Sequence, residues 1–75
     1  MTVYEYYETG KNKPYSTYTT GSFGNALGYL LALSDDGKTE TRTISEVQLM
    51  CAGVWGVDVL IEDGETECWI IKRVD

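Results

Sequence analysis

The sequence predicts a small α+β domain: an antiparallel sheet of four to five strands with one or two helices on one face, in the order β-β-α-(β)-α-β-β. Three observations predict it. Residues 54–62 alternate in polarity and are rich in β-branched side chains, as a half-buried strand does. Asp63-Gly64 then supplies a tight turn into a second strand that runs to Val74. Residues 22–34 carry apolar side chains at helical spacing.

Taken in order, residues 2–8 read as a first strand, with Val3, Glu5 and Tyr7 on one side and Tyr4 and Tyr6 on the other. Gly10, Asn12 and Pro14 mark a turn or short loop. Residues 15–20 have strand composition and pair back on the first strand. Ser22 caps a helix ending near Leu33 or Ser34, with Phe23, Leu27, Leu30, Leu31 and Ser34 on its inner stripe, widened by Ala26 and Leu33. Gly24 and Gly28 suggest close approach of this helix to the sheet. Asp35 and Asp36 oppose the helix dipole, so the helix is expected to end before them. Residues 38–43 alternate Thr with charge, as an exposed edge strand or an extended linker does. Thr43-Ile44-Ser45-Glu46 fits a capping box, and a second helix from Ile44 to about Ala52 is the preferred reading, ended by Gly53. A single strand through Thr39 to Val47 is the competing one.

The C-terminal hairpin organises these elements. A two-residue type I′ turn at Asp63-Gly64 would set Glu62 opposite Glu65, Val59 opposite Cys68 and Val57 opposite Ile70. Trp55, Val57, Val59, Ile61, Cys68 and Ile70 then face the core. Asp58, Leu60, Glu62, Glu65, Glu67, Trp69, Ile71 and Arg73 form a mixed outer face. Because strand side chains alternate, a one-residue slip would exchange the two faces.

Seventy-five residues make one domain. A chain of this size buries only about 60% of the surface its unfolded form exposes, which leaves no room for a deep pocket. Its 43% hydrophobic and 12% aromatic content belongs to a folded chain. The net charge of −6 argues against direct nucleic-acid binding, which needs clustered Lys and Arg to release counterions. It disfavours acidic membrane surfaces and permits a protein partner with a basic surface. No signal-peptide pattern and no apolar run of the roughly 20 residues a bilayer requires is present, so the cytoplasm is the expected compartment. Cys51 and Cys68 are expected as reduced core thiols; a disulfide between them would matter only in an oxidising compartment.

The chain has no histidine, which removes the usual general base and most metal sites. The cysteines lack CxxC spacing, and no glycine-rich phosphate loop occurs. Two acidic clusters remain: Asp35, Asp36 and Glu40, and Glu62, Asp63, Glu65 and Glu67 around the hairpin tip. Neither has calcium-loop spacing. No cofactor, metal or catalytic activity is expected.

Surface recognition is what remains. Trp69, Leu60 and Ile71 on the mixed face are the apolar candidates, and Asp58 with the residues of the two acidic clusters are the charged ones. Tyr4, Tyr6, Tyr7, Tyr15 and Tyr18 form a second candidate surface. In size and composition the chain is similar to phage-encoded inhibitors such as anti-CRISPR and anti-restriction proteins. That resemblance implies a stoichiometric inhibitor that sets an acidic, aromatic surface against a basic nucleic-acid-handling protein. The alternative is an assembly domain that homo-oligomerises, as a homodimer for example, through a sheet edge or the C-terminal hairpin face.

Overall fold

The computed structural model describes residues 1–75. Six elements follow in the order β1 (Thr2–Glu8), β2 (Ser16–Thr20), α1 (Phe23–Asp35), β3 (Arg42–Cys51), β4 (Val54–Ile61) and β5 (Thr66–Arg73). The strands make one antiparallel sheet in the spatial order β2-β1-β5-β4-β3. The α+β class and the five-stranded sheet stand; the two-helix order does not, because there is one helix. It lies over one face of the sheet. Phe23 at its start packs near Tyr4 and Trp55, and Ser34 near its end reaches Glu67 and Arg42. We call this the covered face and its reverse the open face.

Strand periodicity places the core. Tyr4 and Tyr6 of β1, Val57 and Val59 of β4, and Trp69 and Ile71 of β5 form one buried cluster with Ala26 and Leu30 of the helix, and Ile61 of β4 is buried as well. The Tyr6 hydroxyl donates to the Ala26 carbonyl at 2.8 Å, so the buried phenol has its partner. Tyr18 and Tyr29 stack at 4.2 Å beside it. The tyrosines of the first hairpin are therefore chiefly packing groups; Tyr15 stays exposed, its ring edge-on to Trp69.

Ser22 caps the helix as expected, accepting from the Asn25 N–H. The helix runs past Leu33 and Ser34 and takes in Asp35. Asp36 closes it in the left-handed conformation, its N–H donating to the Ala32 carbonyl. The ion pair from Arg42 to Asp35 offsets the unfavourable dipole at that end. Gly24 and Gly28 lie on the exposed side of the helix, and a Cβ on Gly28 would meet nothing within 4 Å. They provide no close approach to the sheet.

The expected second helix is strand β3, and the reason is a pair of β-bulges. One falls between Ile44 and Glu46, the other between Leu49 and Cys51. The extra residue at Ser45 puts Ile44 and Val47 on the same face, opposite Val59 and Val57. Side chains three apart on one face mimic helical spacing, and the capping-box pattern strengthened the mimicry. Pairing along most of β4 overrides that local signal.

The hairpin turn is the second correction. The Gly64 N–H donates to the Ile61 carbonyl, and the Ile61 N–H donates to the Glu65 carbonyl, which closes a loop of three residues, Glu62, Asp63 and Gly64. Gly64 alone has positive φ, at 97°, and Asp63 does not. A type I′ turn requires positive φ at both central residues; a type I turn followed by a left-handed glycine fits what is seen. The Asp63 carboxylate steadies it by accepting from the Glu65 N–H at 2.9 Å. The additional loop residue shifts the pairing by one: Val59 faces Glu67, Val57 faces Trp69 and Trp55 faces Ile71. Every β5 side chain thus changes face relative to the sequence-based expectation. Trp69 and Ile71 go to the core; Cys68 and Ile70 go to the open face.

Candidate functional site

Loop chemistry gathers the acids. The helix stops at Asp36-Gly37, the chain crosses through Glu40 into β3, and the Glu62 N–H donates to the Thr41 carbonyl at 2.9 Å. That contact brings the hairpin tip beside the crossing segment. The two acidic clusters, far apart in sequence, therefore share one end of the sheet. Asp36, Glu40, Glu62, Asp63 and Glu65 are exposed there. Leu60, 41% exposed, stands next to them on the open face beside Thr43 and Thr66. The β1–β2 loop closes the same end: the Asp36 and Glu8 carboxylates push the exposed Tyr15 phenol above its ordinary pKa.

Five of the candidate residues lie elsewhere or are engaged, Asp35 among them through its ion pair with Arg42. Trp69, 5% exposed, and Ile71, fully buried, cannot touch a partner, because the register shift turned them inward. Glu67, assigned to the tip cluster, is a structural carboxylate. Its Oε1 accepts from Ser34 Oγ at 2.7 Å and from Trp69 Nε1 at 3.1 Å. Desolvation pushes its pKa up, but those two hydrogen bonds, with the charges of Arg42 and Lys38, outweigh it and hold the carboxyl below its usual value. Asp58 sits in mid-strand on the open face opposite Cys68, away from the tip.

Beneath the acidic end lies a polar network that the sequence reading missed. Arg42 is buried; its Nε donates to Ser34 Oγ at 2.9 Å, and its Nη1 reaches the Glu40 carbonyl at 3.0 Å and Asp35 Oδ1 at 3.3 Å. Arg42, Ser34, Glu67 and Trp69 thus form one chain of hydrogen bonds linking α1, β3 and β5. No buried side-chain polar atom is left without a partner. Ser34 in the apolar stripe was the available signal, since a hydroxyl on a core-facing position needs a bonding partner.

The cysteines are not core thiols. Cys51 ends β3 and Cys68 moved outward with the register, and both are free and exposed. The Asp58 carboxylate opposite Cys68 favours the neutral thiol, as a hydrogen-bond acceptor and through its negative charge, and so raises the thiol pKa.

No group of three or more His, Cys, Asp or Glu side chains is arranged to hold a metal ion. No helix is long and apolar enough to cross a membrane. The depressions on the surface are shallow; one of about 370 Å³ on the open face is bordered by Tyr7, Val54, Ile70 and Lys72. What the acidic end can do chemically is present solvated carboxylates, carried on turns, to a positive surface. No protein-family model, curated protein or solved structure matches this chain.

Proposed function

We propose that the protein is a non-enzymatic binding protein, a stoichiometric inhibitor whose acidic end occupies a basic groove on a nucleic-acid-handling protein. One observation carries this reading: separate turns bring Asp36, Glu40, Glu62, Asp63 and Glu65 together at one end. An array of carboxylates there can take the place of phosphates in a positive groove, and the charge speeds encounter. Leu60 is the apolar contact beside it. Trp69 and Glu67 support the surface from beneath and have no direct part in it.

The test is kinetic. A partner is captured from lysate on the immobilised chain and identified. Its association and dissociation are then measured at low and high salt, for wild type and for the double variant Glu62→Ala/Glu65→Ala. Salt and the double substitution should each lower the association rate, with less change in dissociation, and the partner's nucleic-acid binding should fall one-for-one with added protein. An association rate indifferent to salt and to the missing carboxylates would end the phosphate-replacement reading.

A further inference from the structure

We infer that β3 is a self-pairing edge: two copies of this chain join their β3 strands antiparallel about a two-fold axis at Gln48, merging two five-stranded sheets into one. The inference is independent of the acidic-end reading and uses other residues.

The edge is open. β3 has β4 as its only neighbour, so half of its backbone N–H and C=O groups face outward unpaired. It spans 10 residues against the 5 of β2, the opposite edge. Edge strands are ordinarily blunted with lysine, proline or other charges. Here no charged residue and no proline lies between Glu46 and Asp58, in a chain that is 24% charged. The helix covers only the start of β3, at Arg42 and Ile44. Beyond it Val47, Leu49 and Met50 remain 39%, 62% and 58% exposed.

The pairing register follows from two constraints. Opposed residues in an antiparallel pair must share a face, and the backbone groups they exchange must point at each other. The Glu62 N–H to Thr41 carbonyl bond sets the phase of the β3–β4 ladder. Carried through the bulge at Ser45, that phase directs the backbones of Glu46 and Gln48 at β4 and those of Val47 and Leu49 outward. Val47 and Leu49 also share the covered face, opposite Val57 and Trp55. A second copy satisfies both constraints when Val47 lies opposite Leu49 of the partner subunit. Symmetry repeats that pair, so the segment Val47-Gln48-Leu49 is its own complement. The covered row from Ile71 through Trp55 and Leu49 then continues into Val47 of the partner subunit, and both exposed side chains lose water contact.

Charge fits the same arrangement. Gln48 meets its symmetry mate on the open face, where each amide can donate and accept. Glu46 falls opposite Met50 of the partner subunit, so no like charges are opposed. Antiparallel strands also direct each acidic end away from its counterpart, toward the end that holds Lys72 and Arg73. An unrelated edge strand would have to match this face pattern and phase by chance; a second copy matches both by symmetry.

Size-exclusion chromatography with light scattering, over a dilution series, reads the mass directly. The expected result is twice 8.4 kDa at high concentration, falling toward 8.4 kDa on dilution. Leu49→Lys should weaken self-association at least about tenfold while circular dichroism and denaturation show the fold intact. The second variant tests register. In a background with Cys51→Ser and Cys68→Ser, Gln48→Cys places two thiols across a non-hydrogen-bonded pair, where mild oxidation should link them as a disulfide. Thr17→Cys on β2 in the same background should not link. A constant mass of 8.4 kDa at every concentration overturns the proposal. So does a dimer indifferent to Leu49→Lys, or one that links through Thr17→Cys in preference to Gln48→Cys.

Discussion

The two faces of the sheet differ less in composition than in what stands over them. On β5, Glu67, Trp69 and Ile71 lie under the helix, while Cys68, Ile70 and Lys72 look out from the open face. Trp69 and Ile70 are neighbours, both apolar, and one is in the core while the other is half exposed. Hydrophobicity did not choose between them. The loop did: the third residue between Ile61 and Glu65 sets the pairing, and the pairing sets the face. In a two-layer protein with one helix, side-chain chemistry proposes two faces and turn geometry decides which is which.

The largest expected effect tests this difference head-on. Trp69→Ala should cost about 3–5 kcal/mol of stability, because it opens a cavity and leaves Glu67 short of a hydrogen bond. Ile70→Ala, one residue along, should cost about 1 kcal/mol. Chemical denaturation with unchanged slopes reads both. Equal losses would mean that β5 does not sort its side chains as described.

A smaller effect is set by pH. Glu67 has a lowered carboxyl pKa in the folded chain, so its contribution is present above the ordinary carboxylate value and is lost as pH falls through the folded value. The melting-temperature advantage of wild type over Glu67→Gln should therefore hold at neutral pH and shrink once the pH drops below about 4. A gap that widened in acid would reverse the assignment of the shift. The carboxylate is partly exposed, so solvent screening keeps the effect modest.

The open face offers the gentlest test. Cys68 should react with a thiol reagent in the native state, without global unfolding, and Asp58→Asn should speed that reaction by removing the charge that disfavours the thiolate. Protection of Cys68 that is lifted only by denaturant would put it back in the core.

Much of this fold was legible in the sequence. The β1–β2 hairpin, the Ser22 cap, the helical stripe from Phe23 to Ser34 and the strand at Val54 all follow from local pattern. The two misreadings share a cause. At Ser45 an extra residue made a strand look helical, and at Glu62–Gly64 an extra residue turned a strand over; Asp-Gly is compatible with loops of either length. Single-residue irregularities of this kind are settled by tertiary pairing, which local sequence does not carry. The candidate site divides along the same line. The acids of both clusters were identifiable as residues, and Leu60 as an exposed apolar neighbour. That the clusters share one end depended on the Glu62–Thr41 contact. That Glu67 and Trp69 serve the interior depended on register.

The three-residue loop also restricts how this chain can change length. One residue inserted or deleted between Ile61 and Thr66 would exchange Trp69 and Ile71 for Cys68 and Ile70 beneath the helix, and would separate Glu67 from Ser34 and Arg42. Two residues gained or lost would restore the original facing. Viable descendants should therefore vary this loop in even steps, while the longer connection between β1 and β2 has room to absorb a single residue without turning a strand over.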